Sequence, residues 1–375
     1  MRTDRLWCAG ILAAVGLATC VGSAAAQTAT EGSAVLAAAP ARVAPKDRNA
    51  AIKYLALFSQ LTKSASVAGI DWDAIGGNLD PAKMPAEYKE AVKAVDPAQI
   101  TRIREAAALQ KCDFENRYED GWAMLLPALG NFRQCVRLLR IDTREAIIAG
   151  DLDRAAANLV AGYQMVGHVS RDPIMICSLV GAAMAEYIHK ETVVFINTPG
   201  VTREQKQRVA DAIRGLGDDP INVRASIEGE RSMSLSWMRR KITDGDDAGR
   251  AAILEAIGLS SDMSSQSPEY LLLMNLGRDE LLALLDLAEL MYRELAVVWD
   301  TPDALDRLKA IEDKLTSGGY GLFAQLFGPA FFKVHKSTGL TELHLRQLVA
   351  DLESRPVPAP PKGVAKPIGT GSTSK

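Results

Sequence analysis

Four sets of residues have types and spacings that could do chemistry. The densest is the acidic run Asp113, Glu115, Glu119 and Asp120. Two such carboxylates facing each other across a cleft could divide acid and base work, as in a glycosidase. Runs of charge are more often solvated, and nothing local shows the burial that would raise one carboxyl above the other. The second set is Glu186 and His189, an E-x-x-H pair on one helix face with the half-site spacing of di-iron bundles. Such a centre wants a second E-x-x-H and two further carboxylates, but His168, His335 and His344 have no glutamate three positions earlier. His189 is therefore expected at the polar end of its helix, without a metal.

The third set resembles a calcium loop: Asp244, Asp246, Gly249 and Glu255 fall on its first, third, sixth and twelfth positions. Ala248 stands at the fifth position, where an oxygen ligand belongs, and Ala251 at the eighth, usually Ile, Leu or Val. The competing reading, an acidic connection whose aspartates cap the following helix, is favoured. Cysteines form the fourth set. Cys112, Cys135 and Cys177 follow the N-terminal segment; a Cys112–Cys135 bridge is conceivable in an oxidising compartment. Against it, Cys135 and Cys177 fall on apolar helix faces, and the count is odd.

The usual catalytic signatures are missing. The chain has no G-x-S-x-G elbow, no G-x-x-x-x-G-K-[ST] phosphate loop and no H-E-x-x-H zinc helix. Its 43 Lys and Arg against 46 Asp and Glu are interspersed, so no basic field invites nucleic acid. No cofactor is implied.

The elements that would position these residues read as helices throughout. Alanine and leucine dominate, and β-branched alternation is nearly absent, which predicts an all-α fold. The organising stretch is Asn131 to Asn197. Phe132, Cys135, Val136, Leu139, Thr143, Ala146 and Ile147 make one apolar stripe, with Arg133, Arg137, Arg140, Arg144 and Glu145 expected in water. Gly150 ends that helix and Asp151 or Asp153 caps the next. The second helix carries small residues that admit a close neighbour, Gly162 among them. Ser170, Asp172 and Pro173 are the start signals of a third. Its run Ile174 to Ala185 is apolar but too short to cross a membrane before Glu186, His189, Lys190 and Glu191 close it.

Around this centre, helices are predicted from about Asn49, at Ala86 to Val95, Pro97 to Leu109, Thr202 to Leu216, from Asp219-Pro220 to Ile242, and at Arg278 to Trp299. A further helix starts at Thr301-Pro302, and Tyr320 to Leu352 follows, with breaks at Gly328-Pro329 and Gly339. Val67 to Lys83 and Asp244 to Arg250 read as loops, and Ser260 to Ser267 as a polar segment. The helical region, 47–353, could divide into two subdomains near 200–218. Met1 to Ala26 reads as an export signal: Arg2 and Arg5, the apolar run Leu6 to Thr19, and Ala24-Ala25-Ala26 before Gln27. Leu17-Ala18-Thr19 before Cys20 admits a lipid anchor instead. Either places the mature protein outside the cytoplasm. Residues 27–46 read as a lead-in and 354–375 as a Pro/Gly/Ser/Lys tail unable to order itself.

Two resemblances follow from quoted residues. Gly150, Asp151, Ala155, Leu159 and Gly162 resemble the helical hairpin of a tetratricopeptide repeat, as one partial unit with no second copy. The ordered segments NAAIKYLALF, KCDFENRYEDG, LLPALGNFRQCVRLLRID, GDLDRAAANLVAGYQM, RDPIMICSLVG and ASIEGER resemble a group of secreted all-helical proteins of planctomycete-type bacteria. That resemblance implies an all-α, exported protein and transfers no site residues. The expectation is an irregular bundle or solenoid of antiparallel helical hairpins. Its function would be a non-catalytic scaffold binding a protein or peptide, or else a small-ligand binder or enzyme with a pocket between helices.

Overall fold

A computed structural model describes residues 49–61, 69–245, 247–256, 268–299, 301, 303–327 and 331–353. Among them every regular element is helical, apart from one isolated bridge between Asn49 and Lys111. The chain opens with α1 (Ala50–Phe58), the single turn α2 (Trp72–Ile75), α3 (Ala86–Lys93) and α4 (Pro97–Ala107). Three long helices follow: α5 (Ala128–Ile148), α6 (Leu152–Ser170) and α7 (Met175–Ile196). Then come α8 (Arg203–Arg214), α9 (Val223–Asp244), α10 (Asp247–Ala256), α11 (Pro268–Asn275), α12 (Arg278–Val298), α13 (Ala304–Thr316), α14 (Gly321–Phe327) and α15 (Phe331–Glu353).

Helices α5, α6 and α7 each pack on the other two and make the centre. The joint between α5 and α6 follows local rules. Gly150 takes φ +73°, which only glycine adopts freely, and the Asp151 carboxylate accepts from the Arg154 amide at 3.1 Å. Gly162 lets α7 close in: a Cβ there would stand 2.6 Å from the Ile188 side chain. On one flank α4 packs on α1, α5 and α6, and α3 on α5. On the other, α8 lies between α6 and α15, α15 runs along α7, and α9 joins α7 to α12. Thr202 and Gln205 form a reciprocal capping box at the start of α8. The described residues make one compact unit, with α8, at the suggested division, packed on both sides of it. No described helix is long and apolar enough to cross a membrane.

Several expectations need correction. Arg140 and Arg144 are buried, not in water: 3% and 1% of their surface is exposed. Glu191 on α7 holds both, at 2.8 Å from each Nε, and Arg144 also donates to the carbonyls of Gly76 and Asn78 at 3.0 Å. Val67 to Lys83 is not plain loop, because this anchorage folds its described part into α2 and a 3-10 turn, Pro81–Lys83. Gly339 does not interrupt α15, whose burial against α7, α8 and α13 overrides a single glycine's low propensity. The helix expected from Asp219-Pro220 begins at Val223 instead, after Asn222 turns left-handed at φ +56°. The amide of Met175, at the start of α7, is capped not by Ser170 or Asp172 but from α9, where Glu230 accepts from it at 3.1 Å. The export signal, Cys20, the lead-in, the tail, Gly328-Pro329 and Ser260 to Ser267 lie outside the described residues.

Candidate functional site

Of the acidic run, Glu115 and Asp120 line the wall of a cleft while Asp113 and Glu119 do not, and a chain of short-range bonds holds that wall. Asn49 caps α1 and reaches sideways: its Nδ2 donates to the Asp113 carbonyl at 2.8 Å, and its Oδ1 accepts from the Asp113 amide at 3.0 Å. The Ala50 amide donates to the Lys111 carbonyl at 2.8 Å. Asp113 then accepts from the amide of Glu115, which adopts φ +53°. A non-glycine residue held there is strained, a state kept only where surrounding bonds over-determine it. Beyond it, Tyr118–Ala123 forms a 3-10 turn clamped to α9. Arg240 donates to the Glu119 carbonyl at 2.8 Å, and Gly121 lies so near Trp237 that a Cβ would overlap its ring.

Between this wall and α1, α5 and α6 lies a cleft of about 440 Å³. Its lining is mainly apolar: Leu55, Phe114, Met124, Leu126, Leu129, Phe132 and Val169 among others. Leu125 at the lip is 72% exposed, and Leu55 52%. Polar groups enter at Glu115, Asn116, Asp120, His168 and Asp172.

Asp172 ties the wall to the central helices. It accepts from Asn116 Nδ2 at 2.5 Å and from the Tyr118 hydroxyl at 2.9 Å. Burial raises its carboxyl above the usual carboxylate range, while the bonds from Tyr118 and Asn116 pull it back. His168 is spent at both nitrogens. The Leu109 carbonyl, 2.7 Å from Nε2, can only accept, so Nε2 carries the proton and Nδ1 accepts from the Tyr54 hydroxyl at 3.0 Å. Burial brings its pKa down to about 4, leaving the ring neutral. Cys112, Cys135 and Cys177 are all free thiols, so the considered Cys112–Cys135 bridge is not formed. Burial pushes Cys112 up to about 12 and lifts Cys177, which also lines the cleft, well above an ordinary thiol.

The other candidates lie elsewhere. Glu186 and His189 do share a face of α7, but their companion is His344 on α15. His344 Nδ1 donates to Glu186 at 2.9 Å, and its ring stacks on His189 with centroids 4.9 Å apart. No group of three or more His, Cys, Asp or Glu among the described residues is placed to hold a metal ion. Asp244 is the exposed last residue of α9 and Glu255 the next-to-last residue of α10, while Asp246 is outside the described residues. Helix from Asp247 onward occupies most of what would be the calcium loop, and a helical backbone keeps its carbonyls for itself.

The arrangement that sequence reasoning missed is the Asp172–Asn116–Tyr118 knot. Its members are separated by 54 to 56 positions, as the pairs Tyr118–Asp172 and Asn116–Asp172, so no local pattern announces it. No family model matches the chain, and no curated protein or solved structure is found similar to it.

Proposed function

We propose that the protein is a non-catalytic, extracytoplasmic helical binding module, and that its cleft takes an apolar side chain presented by a protein or peptide. The observation that carries this is the cleft itself, an apolar trough with a strongly exposed leucine at its lip, walled by a loop that many bonds hold rigid. Pre-ordering of that kind lowers the entropy lost on binding. The groups in it best suited to reaction are engaged or raised: His168 has no nitrogen free and Cys177 is kept as a thiol. The tetratricopeptide-like hairpin of α5 and α6 adds an analogy of fold, and the signal-like Met1 to Ala26 supports export.

A photo-crosslinking residue at position 125, in protein expressed in its own cell envelope, tests this. A discrete adduct is expected there, and none from the same residue at Leu271, which is exposed but does not line the cleft. Equal labelling at both positions, or none at 125, overturns the reading. A second reading, a small-ligand site built on the raised Asp172 carboxyl, is favoured instead if Asp172→Asn abolishes binding of a small molecule while Leu125→Asp leaves it intact.

A further inference from the structure

Helix α5 carries Arg133, Arg137, Arg140 and Arg144 at successive spacings of four, three and four residues. That spacing aligns all four on one face. The C-terminal half of the stripe is neutralised only in part, since the single carboxylate of Glu191 serves both Arg140 and Arg144 and leaves one positive charge over. The Arg140 guanidinium lies 3.8 Å over the Trp72 ring and 5.8 Å from that of Tyr187. Only its Nε is used by Glu191.

Among the described residues, the N-terminal half has no counter-charge. Arg133 and Arg137 are half-buried, and neither makes an ion pair among the described residues. Arg133 is pushed below the ordinary guanidinium range by burial first and by Arg137 second, with Tyr187 on α7 its favourable neighbour. Two guanidiniums side by side, partly out of water and without an acid, raise the energy of the empty protein. The same arrangement is what recognition of a multiply charged oxyanion requires, because each guanidinium offers a planar fork of donors.

We propose that Arg133 and Arg137, backed by Arg140 and flanked by Tyr187, bind a doubly charged tetrahedral oxyanion along the seam of α5 and α7. Two unpaired guanidiniums match a dianion in charge, and phosphate and sulfate share that chemistry. The site is separate from the apolar cleft and stands whether or not the cleft binds a partner.

Calorimetric titration with sodium phosphate and, separately, sodium sulfate, in chloride buffer of matched ionic strength, tests this and distinguishes the two sources. Saturable one-to-one binding of at least one anion is expected. Arg133→Gln/Arg137→Gln should weaken it about tenfold or more, as lost charge-assisted bonds imply. Arg133→Lys/Arg137→Lys, which keeps charge but loses the fork, should fall between, and the exposed Arg307→Gln should match the parent. Far-UV circular dichroism of each variant confirms folding. Absence of binding by either anion in the parent, or equal binding in the folded double glutamine variant, overturns the proposal.

Discussion

At the residue scale, the buried charges decide most. Glu191 is fully buried and faces two guanidiniums, so removing its charge leaves both uncompensated in a low-dielectric core. Glu191→Gln is expected to cost about 3–5 kcal/mol, the usual penalty for breaking a buried pair from one side. Urea denaturation at pH 7 reads this directly, and a loss below 1 kcal/mol would mean that water reaches the site. His168 gives a pH dependence of definite sign. Its folded pKa of about 4 lies below the ordinary 6.5, so between those values the unfolded chain binds the extra proton. Stability from this group is therefore complete above pH 6.5 and is lost as pH falls toward 4, by about 3 kcal/mol in all. His189, also lowered by burial, adds loss of the same sign. His168→Gln should be less stable than the parent at pH 7 and show a flatter stability profile from pH 6.5 down to 4. Parallel profiles would show that His168 does not titrate in this way.

At the scale of the elements, helix packing separates glycines that are required from those that are merely present. Gly229 on α9 meets the backbone of Pro173, where a Cβ would stand 1.9 Å from the carbonyl oxygen. A backbone has little room to yield, so Gly229→Ala should cost about 1–3 kcal/mol despite alanine's better helix propensity. Gly130 on α5 has nothing within 4 Å of its missing Cβ, so Gly130→Ala should gain about 0.5–1 kcal/mol. Thermal melts of the two variants should shift in opposite directions, and a common sign would contradict the packing described. The same contrast explains what was legible beforehand. Gly150 and Asp151 stop and start helices through bonds to their own neighbours, so their roles can be read from spacing. The two arginines at 140 and 144 could not be placed, because residue type favours water and their partner stands 51 and 47 positions away. The cleft was hidden for the same reason. Asp172 sits where a helix-start signal belongs, yet α9 supplies the cap through Glu230, and Asp172 is left to hold Asn116 and Tyr118.

At the scale of the whole molecule, the question is whether the helical region melts as one body. The sequence allowed a division near residues 200–218, at the turns flanking α8. In the structure α8 is a shared layer, packed on α6 of the central trio and on α15 of the C-terminal part. Helix α15 also lies along α7, and α9 joins α7 to α12, so apolar contact is continuous across the suggested boundary. A region joined by that much buried surface gains little by opening halfway, because the exposed faces of α6, α7 and α8 would meet water without a compensating release of most of the chain. Length works the other way, since chains beyond about 150 residues often populate intermediates. The tryptophans allow a direct comparison: Trp72 lies against the Arg140 guanidinium near the start, and Trp299 packs against His335 near the end. Variants retaining only one or the other report the two regions separately. Their urea transitions are expected to coincide with each other and with loss of helical dichroism. A Trp299 transition well below that of Trp72 would mean that α8 is a seam, and that the C-terminal helices fold as a second unit against a core complete at α7.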